Sequence, residues 1–72
     1  MQMKLTDPGD ENRNGQILIR KTSLAGTDHN AVIWVLRCPV CNIEYGSNST
    51  DAWERKCPSP THQGGKPGLN YQ

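Results

Sequence analysis

Four side chains in this 72-residue sequence carry metal-ligand chemistry at a recognisable spacing: Cys38, Cys41, Cys57 and His62. Together they read C-x2-C-x15-C-x4-H. Two close pairs separated by a longer loop suit a tetrahedral ion, because each pair can present two ligands from one turn while the loop lets the pairs converge. Three thiolates and one neutral imidazole are an ordinary structural set for Zn2+. An odd count of three cysteines argues against a disulfide framework, which would leave one thiol over.

Both half-sites open on Cys-Pro, at Cys38-Pro39 and Cys57-Pro58. Proline fixes φ and carries no amide, which favours a preformed knuckle turn. Each Cys-Pro follows a cation, Arg37 or Lys56. A centre of three thiolates and one imidazole has a charge of about −1, so neighbouring cations are electrostatically reasonable. A solvated strand end explains them equally well. The competing fourth ligand is His29, in the polar turn 26–30. His62 has the better position, inside the second knuckle.

The elements that must position these ligands are short. Residues 16–22 hold Ile17, Leu18 and Ile19 and read as a first strand. Residues 31–37 are β-branched and aromatic. Their alternation places Val32, Trp34 and Leu36 on one face, with Ile33 and Val35 on the other, so this strand should be covered on both sides. Trp34 is expected in the core beside Ile17, Ile19, Val32 and Leu36. A third short strand is expected within 42–46, through Ile43 and Tyr45. Residues 51–56 admit two readings: a capping box, Asp51-x-x-Glu54, opening a single short helical turn, or a strand through Trp53 and Arg55 into the second knuckle. The strand is preferred, since Pro58 prevents a helix from continuing through Cys57.

The expected organisation is a flexible leader over 1–15, a zinc-binding β domain over 16–62 and an irregular tail over 63–72. A core built from 33% hydrophobic residues without phenylalanine is thin, and chains this short often need a staple. The fold class is therefore a small metal-stapled β protein, a short antiparallel sheet with two knuckles.

Residues 37–62, RCPVCNIEYGSNSTDAWERKCPSPTH, resemble a small zinc ribbon, and also resemble compact prokaryotic and phage proteins with a CxxC, a Tyr-Gly and a final Arg-Lys-Cys-Pro. The resemblance covers about a third of the chain and bears on the metal. Zinc ribbons as a group bind nucleic acid or dock onto proteins, and the resemblance implies that choice.

Composition narrows the task. The longest apolar run, residues 31–36, is far too short to cross a bilayer as a helix, so no membrane partner is expected. Residues 1–10 contain no apolar stretch that could serve a secretory signal, and a cytoplasmic location is expected. An enzyme is the least favoured class, because four protein ligands close a zinc site that catalysis would need open. Nucleic-acid contacts would come from Arg20, Lys21, Arg37, Arg55 and Lys56, with Trp53 and Tyr45 available for stacking. Eight basic residues against seven acidic fall short of the strongly basic footprint of a dedicated binder. That balance keeps the alternative open, a protein-docking adaptor or a phage- or plasmid-type inhibitor of a larger host complex.

Overall fold

A computed structural model describes residues 5–28 and 30–71. These residues form a three-stranded antiparallel sheet in the order β1-β2-β3, with β1 Ile17–Ala25, β2 Val32–Cys38 and β3 Ile43–Asn48. Each strand overlaps its expected span, although β1 and β3 run longer than expected. Among the described residues, no helix is long and apolar enough to cross a membrane.

The register sorts side chains onto two faces. Leu36 pairs with Leu18 on one side and Tyr45 on the other. These three, with Leu5 and Ala52, form the main core cluster. On the opposite face Val35 lies between Arg20 and Gly46 and is fully buried. The C-terminal segment covers that face. The Leu69 amide donates to the Gly46 carbonyl at 2.9 Å, and the Tyr71 ring lies 5.4 Å from the Arg20 guanidinium carbon. A Cβ at residue 46 would sit 2.5 Å from the Leu69 carbonyl oxygen, so glycine is what lets the tail approach. The central strand is thus covered on both sides, as its pattern predicts.

Several expectations need correction. Of the leader expected over 1–15, the described residues 5–15 lie folded back along β1. The Gly9 amide donates to the Leu18 carbonyl at 2.7 Å, and the Leu18 amide donates to the Asp10 carbonyl at 2.9 Å. Leu5 and Asn12 are buried, and Asn12 Nδ2 donates to the carbonyls of Ala52 and Arg55, both at 2.9 Å. Trp34 packs against the core cluster but stays half-buried, with Lys21 Nζ 4.8 Å from its ring centre.

The strand expected through Trp53 and Arg55 is absent. A single 3-10 turn, Ala52–Glu54, occupies the place, and Arg55 leaves it in extended geometry. The short helical reading is the better one, but its capping box does not form. Asp51 makes no side-chain cap, because its carboxylate accepts a hydrogen bond from Arg55 Nε at 3.3 Å.

Candidate metal centre

The first half-site grows from the end of β2. Cys38 is the last residue of the strand and is fully buried. The chain then reverses, and the Asn42 amide donates to the Cys38 carbonyl at 2.7 Å. Asn42 has φ +60°, a left-handed conformation that asparagine tolerates better than most residues. The Arg37 guanidinium reaches across to donate to Asn42 Oδ1. These contacts close a knuckle that presents Cys38 and Cys41 together.

The second half-site follows the 3-10 turn. Cys57 is fully buried, and residues 57–65 fold into a compact loop. Ser59 accepts hydrogen bonds on its carbonyl from the amides of His62, at 3.1 Å, and Gly64, at 2.8 Å. The Gly65 amide donates to the Cys57 carbonyl at 2.8 Å. His62 itself is exposed.

Both half-sites converge. One ligand atom from each of Cys38, Cys41, Cys57 and His62 lies within 4.8 Å of the other three. Cys38 Sγ is 3.4 Å from His62 Nδ1, and Cys57 Sγ is 3.6 Å from Cys41 Sγ. An ion held tetrahedrally at about 2.3 Å from sulfur and about 2.0–2.1 Å from nitrogen has S···S edges of about 3.8 Å and S···N edges of about 3.5 Å. The two close contacts are therefore tetrahedral edges in length. The four side chains form a group that can hold a metal ion.

The sulfurs differ in environment. Burial pushes the Cys38 thiol up. Hydrogen bonds from the Cys41 amide, the Gln16 side chain, the Val40 amide and the Cys57 thiol outweigh it and bring Cys38 down to about 6. Cys41 moves the other way, up to about 11, through desolvation and through its contacts with the Cys57 and Cys38 sulfurs. Tyr45 is raised above the ordinary phenol range by burial, then by the Cys57 and Cys38 charges. It stays a donor, giving its hydroxyl proton to Gln16 Oε1 at 2.7 Å.

His62 stands within the group, and His29, the competing candidate, lies outside the described residues. The cations expected to form one contact surface are not gathered. Arg20 and Lys21 pair with Val35 and Trp34 respectively, so they stand on opposite faces of the sheet. Arg37 is exposed beside the first knuckle and Lys56 is exposed beside the second. Arg55 is only 6% exposed and donates to Asp51 and, at 3.3 Å, to the Pro67 carbonyl. Of the aromatics offered for stacking, Tyr45 is buried, whereas Trp53 is exposed with the Arg13 guanidinium carbon 4.9 Å from its ring centre.

The sequence does not single out Gln16, Gln63 or Lys66. Gln16, Tyr45 and Gln63 form a polar chain behind the sulfurs. Lys66 joins Lys56, Arg55, Asp51 and Glu54 along a groove of ≈ 290 Å³. Only the position of Gln63 directly after His62 could have drawn attention to it. No family model, curated protein or solved structure matches the chain.

Proposed function

We propose that Cys38, Cys41, Cys57 and His62 hold a structural Zn2+ ion and that the ion staples the sheet to the 57–65 loop. The observation that carries this reading is the pair of tetrahedral-length contacts within one Cys3His group. A bound zinc supplies a rigid cross-link between the two half-sites. Four protein ligands leave no open position for substrate, so the reading is a structural centre and not an enzyme. Native mass spectrometry is expected to find one zinc per chain, with the zinc content of His62→Ala clearly reduced. A folded wild-type chain that carries no metal would defeat the reading.

The task we assign to the stapled module is nucleic-acid binding, with phosphates seated at the groove beside the second knuckle. Both carboxylates of that groove already have cations: Asp51 pairs with Arg55 at 3.3 Å and Glu54 with Arg13 at 3.9 Å. Among the described residues, neither Lys56 nor Lys66 pairs with a carboxylate. Trp53, one residue before Glu54, adds an exposed ring for base stacking. Replacing Lys56 and Lys66 by Glu is expected to weaken binding of single-stranded oligonucleotides regardless of sequence. It should also flatten the salt dependence by about 0.7 in log–log slope for each phosphate that is no longer neutralised.

A protein-docking role is the second reading, and the first knuckle favours it. Val40 is 74% exposed at the knuckle and Ile43, two residues past Cys41, is 37% exposed. Apolar side chains displayed this way suit a protein partner better than a phosphate backbone. Oligonucleotide binding that is absent in the wild type would turn the assignment to this surface.

A further inference from the structure

The second half-site has an unusual construction. Its four-residue gap is twice the gap of the first half-site, and two of the three residues after Cys57 are prolines without an amide to donate. Backbone bonds from His62 and Gly64 to the Ser59 carbonyl and from Gly65 to the Cys57 carbonyl close the loop on itself, but they do not tie it to the rest of the chain. The imidazole of His62 is exposed, and its hydrogen-bond contact is with Cys38 Sγ. A side-chain contact must tie the loop to the rest of the chain.

Gln63 does so with both ends of its amide. Its Oε1 accepts from the Cys57 backbone amide at 2.6 Å, and its Nε2 donates to the Asn14 carbonyl at 3.0 Å. With Gly65 bonded to the Cys57 carbonyl, Cys57 is pinned on both sides of its α-carbon. Gln63 is anchored in turn. Gln16, 1% exposed, donates from Nε2 to the Asn14 carbonyl at 3.3 Å and to Gln63 Oε1 at 3.5 Å, while Tyr45 donates to Gln16 Oε1. A chain of side-chain amides thus runs from the core to the backbone of one ligand and the neighbour of another.

We infer that Gln63, backed by Gln16, is a positioning residue that sets Cys57 and His62 for the metal and makes the four-residue gap workable. The inference rests on reading the Cys3His group as a metal centre. Outer partners that orient ligands typically contribute a 10- to 100-fold factor in metal affinity. They act through the ligands, so their loss shows in the ligand field as well as in the affinity.

The test is competitive zinc titration together with the absorption spectrum of the Co2+-loaded full chain. Gln63→Leu is expected to weaken zinc by about 10- to 100-fold and to alter the cobalt bands. Gln63→Glu keeps the acceptor for the Cys57 amide but loses the donor to the Asn14 carbonyl, so its zinc affinity should fall between those of wild type and Gln63→Leu, and below wild type even where Gln63→Leu does not fold. Wild-type affinity and spectrum in Gln63→Leu, or wild-type affinity in Gln63→Glu, would overturn the inference while leaving the metal centre standing. A wild-type chain that binds neither zinc nor cobalt would overturn both.

Discussion

Removing the proposed zinc with a chelator is expected to unfold the protein, and Cys38→Ser is expected to reproduce that state. The main apolar cluster consists of Leu5, Leu18, Leu36, Tyr45 and Ala52, with Trp34 only half-buried at its margin. A core that small contributes few of the kilocalories a domain needs, whereas structural zinc in finger peptides contributes about 10–16 kcal/mol of apparent binding free energy near neutral pH. A domain of this size has a total stability of about 4–11 kcal/mol at the usual 0.05–0.15 kcal/mol per residue. Losing the ion therefore exceeds or matches the whole margin. Cys38 is fully buried at the end of β2, with its sulfur 3.4 Å from His62 Nδ1, so a serine there breaks the group where it joins the sheet. Far-ultraviolet circular dichroism and tryptophan fluorescence should both change on chelation and return when zinc is restored. A chelated chain with unchanged spectra would show that the sheet stands without its staple.

The parts of this structure that could be read from sequence are those with short-range signals. The β2 pattern shows both its identity and its burial on two faces, and two Cys-Pro turns mark both half-sites. What sequence does not reveal depends on contacts between distant residues. Leu5 and Asn12 are single buried positions in a polar stretch, and one buried residue has no periodicity to reveal it. The 51–56 segment reads as a strand because Trp53 and Arg55 alternate. Local alternation cannot show that Arg55 will turn back to Asp51, four residues earlier. The amide chain through Gln16 and Gln63 spans 47 positions and is invisible until β1 and the second knuckle are side by side.

Arg55 gives the second large effect, and its direction separates the sequence reading from the structure. Read from sequence, Arg55 belongs to an exposed contact surface, so a charge reversal should weaken a partner and spare the fold. The structure places its side chain at 5% exposure against an Asp51 side chain at 16%. Its Nη1 donates to the Pro67 carbonyl, which fastens the C-terminal segment. Its own carbonyl accepts from Asn12 and Asn14, at 2.9 and 3.2 Å, so the residue joins three segments of chain. Removing one partner of a buried ion pair costs about 3–5 kcal/mol, and a glutamate here would add repulsion from Asp51. Against a total of about 4–11 kcal/mol, Arg55→Glu should be largely unfolded even when zinc is supplied in excess. Arg55→Met should be milder, since it fills the space and adds no second anion. Lys56→Glu, one residue away but exposed, should stay within about 0.5 kcal/mol of wild type, as surface changes usually do. Urea denaturation of the three variants at saturating zinc reads the difference directly. Equal midpoints for Arg55→Glu and Lys56→Glu would return Arg55 to the surface and restore it as a contact residue.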